Sequence, residues 1–420
     1  MKLWAGQAVS IFGTEVTSLA LPLTAVLLLK ATPVQMGILG AIGLAPYVLF
    51  SLAAGVWVDR LHRRPVLIAA DLGRAALLAS IPAAALLNRL AMGQLYVVGF
   101  LVGALSLFFG LAYQSFLPSV VGRDRLVEGN GKLALSASTG QVAGPGLGGT
   151  LVQLLTAPVA ILVDAASYIA SAALIALVRA PEAPVPPRRL DGRGTMRAEI
   201  GEGFRAIAGQ PALRAITGSW SVYEFAIGMT LAVLVLYLTR DLGVAPAVLG
   251  SVFVVWSVSG LAGAALTGWA ARRLGLGPSI GLALLMAGVG GLCAPLAMAL
   301  RPAALPLVFV GQVLSGVGLT LSGSNQSSLR QALTPERARG RVNACFSFLT
   351  TGVRPFGALL GGVLGGAIGL PATLLVGALG MLIAGLWILR SAAGAVRGAS
   401  ADAGLDPNEG SARRAEPGVV

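Results

Sequence analysis

The chain has 420 residues, 56% apolar and 11% charged, with a mean hydropathy of +0.82 and a formal net charge of +13. A soluble chain carries about 25% charged residues, so this composition excludes one and specifies a polytopic membrane protein. The charge excess alone would suit nucleic acid. Its placement argues against that partner, because the arginines sit in loops between apolar runs, as in cytoplasmic loops of membrane proteins.

A transmembrane helix needs about 20 mostly apolar residues. On that measure the first half holds six spans, at 4–29, 34–57, 66–88, 93–115, 133–156 and 158–178. The second half holds six more, at 213–239, 245–269, 279–300, 304–328, 342–368 and 371–390. The first apolar run is too long for a signal-peptide core and reads as the first span. The 57 glycines suit helices that approach closely in lipid. Prolines inside spans, such as Pro22, Pro46 and Pro145, are tolerated where neighbouring helices satisfy the freed backbone groups.

The loops alternate in charge. One set holds Arg60, Arg63 and Arg64, then Arg123, Arg125 and Lys132, then the arginines of 179–214, then Arg272 and Arg273, then Arg330, Arg337, Arg339 and Arg341. The other set holds only Lys30, Arg89, Arg240 and Arg301. This asymmetry places the first set and both termini in the cytoplasm, with the chain in the cytoplasmic (inner) membrane. The segment 179–212 opens proline-rich and then gives a short amphipathic helix at 195–208, with Ile200, Phe204 and Ile207 on one face. It reads as a cytoplasmic linker. The tail 391–420 is rich in Gly, Ala, Ser and charge, cannot bury a core, and reads as disordered.

Cys293 and Cys345 lie in or beside apolar segments and His62 stands alone, so neither a disulfide framework nor a metal site is expected, and no cofactor. The P-loop pattern G-x-x-x-x-G-K-[ST] is absent, which argues against an ATP-driven pump. An intramembrane enzyme would need clustered acids or a His/Cys set, whereas the acids here read as single and scattered.

The two halves match each other in order at an offset of 212–213 residues. Gly55, Arg60, Leu61 and Pro65 align with Gly268, Arg273, Leu274 and Pro278. Gln114, Ser115 and Leu117 align with Gln326, Ser327 and Leu329; Thr139 and Gly140 with Thr351 and Gly352; Gly149 with Gly361; Asn130 with Asn343. The fold class that follows is all-α, with 12 transmembrane helices in two pseudo-symmetric six-helix halves, 1–178 and 213–390, and a site near midplane between them.

The sequence resembles the major facilitator superfamily over 4–390. Gly55-x-x-x-Asp59-Arg60-x-x-Arg63-Arg64 is similar to that family's signature loop between spans 2 and 3, with His62 where the family has glycine. A turn residue with φ > 0 would account for the glycine, and histidine tolerates that conformation. Gly140-x-x-x-Gly144-Pro145-x-x-Gly148-Gly149 is similar to the antiporter motif of the family's exporters. LALPL at 19–23, the DLGRA at Asp71, VDAASY at 163–168 and PERARGRVNA at 335–344 resemble the branch that includes the enterobactin exporter and macrolide-efflux-like proteins. Span 4 departs from the family's drug-efflux members in having no arginine, and the second signature loop has Arg272 in place of Asp59.

The resemblance implies a secondary transporter, not an enzyme. It would export a small amphipathic molecule (a drug, siderophore or metabolite) in exchange for protons, as in multidrug resistance, and act as a monomer in the bilayer. A facilitator-type importer, an uncoupled transporter and a non-transporting sensor share the fold and stay open. In the resembled family Asp59 would latch the halves.

Charges inside spans cost about 2.5–3.5 kcal/mol at the helix centre and mark functional candidates. Glu15 and Glu224 are the deepest acids, each in the first span of its half. A carboxyl group held away from water can exchange a proton near neutral pH, so either could carry the proton or meet a cationic substrate, or simply hydrogen-bond across helices. Asp164 is expected to be a helix lock or a cavity residue. Arg354, beside Pro355, needs an acidic or carbonyl partner. Tyr223 and Phe225 flank Glu224 and could stack on a planar ligand. Asp71 and Arg74, three apart, are expected to pair structurally.

Overall fold

The computed structural model describes residues 2–58, 61–121, 126–178 and 192–396. All regular structure among these is helical. The first half comprises α1 (Lys2–Leu23), α2 (Pro33–Val58), α3 (Arg63–Leu86), α4 (Met92–Val121), α5 (Leu126–Leu155) and α6 (Ala157–Ala176). Helix α7 (Gly192–Gly209) lies between the halves in sequence. The second half comprises α8 (Pro211–Leu236), α9 (Pro246–Leu274), α10 (Leu276–Ala299), α11 (Ala304–Leu333), α12 (Arg339–Thr351), α13 (Arg354–Ala367) and α14 (Leu370–Arg390).

Ten of these helices are long and apolar enough to cross a membrane. The expected spans 5 and 11 are not among the ten. Helix α5 carries Glu128 and Lys132 and many Gly, Ser and Thr residues. The eleventh span is divided at Gly352–Val353 into α12 and α13, of 13 and 14 residues, each too short alone. Outward faces present bare apolar side chains, among them Leu86, Leu154, Ile169 and Ile383, suited to lipid.

The repeat is visible in three dimensions at an offset of 213 residues. Helices α3 and α10 begin at Arg63 and Leu276, and α6 and α14 at Ala157 and Leu370. Helices α1 and α8 both end in a single wide π turn, Thr24–Leu28 and Tyr237–Asp241. The turn after each is closed in the same way, by Ala31 N–H to the Ala25 carbonyl and by Val244 N–H to the Leu238 carbonyl.

The halves meet where backbones touch. A Cβ on Gly149 of α5 would collide with the Pro246 carbonyl and stand 3.0 Å from Gly250 Cα in α9. A Cβ on Gly37 of α2 would stand 2.6 Å from the Ala358 carbonyl and 2.8 Å from Gly362 Cα in α13. These contacts are equivalents: Gly362 follows Gly149, and Gly250 follows Gly37, by the repeat offset. Both lie at the arginine-poor end of the bundle. There Arg240 also donates to the Ala31 carbonyl, and Ala247 N–H to Gln153 Oε1. Toward the arginine-rich end α5 leaves Leu135, Ser138 and Thr139 exposed.

Three expectations need correction. Gly149 pairs structurally with Gly362 rather than Gly361, because Gly361 packs on Met229 as Gly148 packs on Val16. His62 has φ −65° and ψ 123° and precedes the first turn of α3, so the turn asks for an extended residue, not a left-handed one. The tail is packed as far as Val396: Ala393 is buried and Gly277 N–H donates to the Val396 carbonyl, because small apolar residues there fill the end of α10. Residues 397–420 lie outside the described residues.

Helix α7 runs over Gly192–Gly209, containing the expected amphipathic helix, and Phe204 and Ile207 face the second half. Gly203 lies against the Arg341 carbonyl and Cys345, and Arg341 pairs with Glu202 at 2.5 Å.

Overpacking a tight contact costs about 1–3 kcal/mol. Gly149→Val and Gly362→Val are therefore expected to lower thermal stability in detergent by similar amounts. A loss at one site alone would contradict the equivalence of the two contacts.

Candidate functional site

The glycine motif of α5 has two faces. Gly140, Gly144 and Gly148 recur every four residues and form one flat strip. A Cβ at Gly140 would meet Ile11 at 2.5 Å, one at Gly144 would collide with the Glu15 side chain, and one at Gly148 would stand 3.2 Å from Val16 Cα. This strip is the bed of α1. The other face, Pro145, Gly146 and Gly149, is the seam with α9, where Gly250 approaches the Pro145 carbonyl. Pro145 lies inside a continuous helix.

Gly144 is thus the slot that receives Glu15. Glu15 is half-buried at the α1–α5 junction, with Thr14 and Ser18 beside it exposed. An exposed polar face on a membrane span belongs to a water-filled cavity rather than to lipid. Among the described residues no cation stands within ion-pair distance of Glu15.

Glu224 on α8 is different. Its carboxylate has Arg354 at 3.9 Å, and the Trp220 indole faces it. Arg354 is the first residue of α13, directly after the break in the span, and Pro355 follows at the position where a helix needs no N–H donor. Gly228 leaves room for the Arg354 backbone. The pair is partly exposed, so the two charges compensate each other where water can reach them.

Two of the residues expected in the cavity are elsewhere. Tyr223 is 2% exposed and packs in the apolar core against Trp220, because α8 turns that face toward α14. Asp164 is 1% exposed and lies inside the first half beneath α1, where Gly13 lets the helix backbone cover it. Ser167 donates to its Oδ1 at 3.1 Å. Asp71 and Arg74 pair directly, as expected, and both are buried. The stacking of Arg74 between Phe109 and Tyr168, at 4.4 and 4.1 Å, had no signal in the sequence.

Of the signature loop, Asp59 and Arg60 lie outside the described residues, and Gly55 is within α2. Arg63 opens α3, and Arg64 donates to the Ala176 carbonyl at the end of α6, a favourable place for a cation. Arg64 therefore binds α3 to α6 at the arginine-rich end.

Two matched halves meet along a seam of glycines, with acids held inside the spans of each. The sequence profile of the Major Facilitator Superfamily matches residues 3–227 and 221–414. The chain belongs to the major facilitator superfamily. It is a multi-pass membrane transporter, not an enzyme, and acts on small molecules.

Multidrug efflux pump Tap of Mycolicibacterium fortuitum is 29% identical over 383 residues, covering 89% of this chain and 91% of Tap. Enterobactin exporter EntS of Salmonella typhimurium is 27% identical over 344 residues, 80% of this chain and 79% of EntS. Both match the branch to which the motifs pointed. A bacterial homologue of the iron transporter ferroportin in its inward-facing state superposes with a TM-score of 0.73 at 21% identity, over 92% of this chain and 97% of that one. Such a homologue in the outward-facing state gives 0.55 over the same 92%, with 98% of its own chain covered.

Interacting charges couple by about 0.5–3 kcal/mol, and the partial exposure of Arg354 favours the lower part of that range. In chemical unfolding in detergent, Glu224→Gln and Arg354→Gln are each expected to destabilise. The double variant should lose less than the sum, by about 1 kcal/mol. Additivity would contradict the pair.

Proposed function

We propose that the chain exports a small amphipathic cation across the cytoplasmic membrane, exchanging it for protons by alternating access. Its two halves are 1–178 and 213–390, with 179–212 as a cytoplasmic linker.

The observation that carries this reading is Glu15. It is an acid on the cavity wall with no cation paired to it among the described residues, whereas Glu224 is already balanced by Arg354. A half-buried carboxylate without a counter-cation is costly inside a membrane span. A proton or a positively charged ligand relieves that cost equally, and each displaces the other. That competition is the basis of exchange. Glu224 and Arg354 then hold the opposite wall neutral, and the aromatic faces of Trp220 and Phe348 supply apolar contact for the ligand body.

Direction and state are supported by the packing. The halves touch at the arginine-poor end, and the positive-inside rule makes that end the outer one. A carrier closed outside and open inside is ready to load from the cytoplasm. The better superposition on the inward-facing ferroportin homologue supports the same state. The printed functions of Tap and EntS support export.

The test uses inverted vesicles, ethidium as probe, and a pH-sensitive dye to follow the proton gradient. Wild type is expected to dissipate the gradient when ethidium is added. Glu15→Gln should abolish that exchange. Gly144→Ala should reduce it several-fold without altering any charge, because its methyl displaces Glu15. Unaltered proton exchange in Glu15→Gln would overturn the reading.

A further inference from the structure

The first half contains a second set of charges that the cavity does not account for. Asp71, Arg74 and Asp164 are 0%, 5% and 1% exposed. Arg74 reaches Asp71 directly, donates to Ser106 at 3.3 Å, and lies against the rings of Phe109 and Tyr168. Asp164 lies one turn before Tyr168 on α6, within the electrostatic reach of Arg74 and Asp71. Among the described residues, the hydroxyls of Thr14 and Thr17 face the group from α1, where Ser10 is also buried, Tyr47 of α2 faces Arg74, and Ser171 of α6 faces Asp71. The second oxygen of Asp71 and the hydroxyls of Thr17 and Ser171 are buried without a hydrogen-bond partner.

The repeat shows that the fold does not need these charges. The equivalent positions in the second half are Leu284, Ala287 and Gly377, with Met381 for Tyr168 and Ala384 for Ser171. They are buried, and the surrounding packing is retained. Gly13 covers Asp164 and Ser167 as Ala226 covers Gly377 and Gly380. Gly6 meets Ser171 as Ser219 meets Ala384. One half thus builds this interface from uncharged residues and the other includes two carboxyls and one guanidinium. Replacing buried ions by apolar residues is often neutral or stabilising, so stability does not explain the ions.

The charge count is also incomplete. Two carboxylates around one guanidinium leave one negative charge in a site closed to water, and a buried charge must be paired or neutralised. Tyr168 joins the site to the cavity: its hydroxyl is 2.9 Å from that of Thr14, which is on the exposed face of α1.

We propose that Asp71, Arg74 and Asp164 form a proton-binding site inside the first half, in which Asp164 takes up the proton and the Thr14–Tyr168 hydroxyl pair leads to it from the cavity. This rests on the reading of the chain as proton-driven and adds a site to it. In the state described here Gly13 seals α1 over the protonated acid. Movement of α1 away from α6 readmits water and releases the proton.

The test is infrared difference spectroscopy of the purified full-length protein in detergent, following the carbonyl stretch of protonated carboxylic acids as pH is varied. It needs no substrate. Wild type is expected to show a band that rises on acidification, is lost in Asp164→Asn, and persists in Glu15→Gln and Glu224→Gln. A variant carrying the second half's residues, Asp71→Leu, Arg74→Ala and Asp164→Gly, is expected to fold and to lack the band. Tyr168→Phe should keep its amplitude and slow its appearance after a pH jump several-fold. A full set of wild-type bands in Asp164→Asn, or a band at Asp164 that does not change with pH, would overturn the proposal. The titrating band in a protein that exchanges no ethidium for protons would uphold this site while removing the transport reading.

Discussion

Backbone-to-backbone contact between the halves is the constraint on which the rest depends. Gly149 on Gly250 and Gly37 on Gly362 allow no side chain between them. In lipid there is little hydrophobic gain in pressing helices together, so close approach supplies the attraction through dispersion and shape. Such a contact is steep with distance and insensitive to charge. Among the described residues it holds one end of the molecule shut without an ion pair across the seam, and it leaves the charged residues free for other work.

Those charges divide by setting. Glu224 and Arg354 compensate each other in the second half. Glu15 lies in a slot cut by Gly144 in the first. Asp71, Arg74 and Asp164 are buried behind α1, off the cavity. The same glycine strip that seats α1 on α5 fixes the position of Glu15, while Gly6 and Gly13 seat α1 on α6 over Asp164. Helix α1 is therefore the element in contact with both acid sites, and its placement is decided by residues that have no side chain.

Much of this was legible in the sequence, because hydropathy and charge alternation follow directly from the bilayer. The helical order and the repeat were read from residues alone, and the two glycine motifs from residues together with a family resemblance. What escaped depended on rotation and pairing. Nothing local shows that α8 turns Tyr223 into the core while Glu224, one residue on, meets an arginine 130 positions away. The acids of 71 and 164 read as single and scattered because spans 3 and 6 are distant in sequence and adjacent in space. The repeat was aligned one residue off at Gly149, since runs of neighbouring glycines admit two registers. The break in the eleventh span has only Gly352 and Pro355 to announce it, and both residues are common in membrane helices.

Helix α7 has a mechanical consequence. It packs on α12 and belongs to the second half as a rigid passenger, through Phe204, Ile207 and the Glu202–Arg341 pair. The covalent link between the halves is then shorter than the interval 179–212, because Gly192–Gly209 is already packed on the second half. The approach of the two halves is set where glycines touch, and α7 rides on one side of that contact.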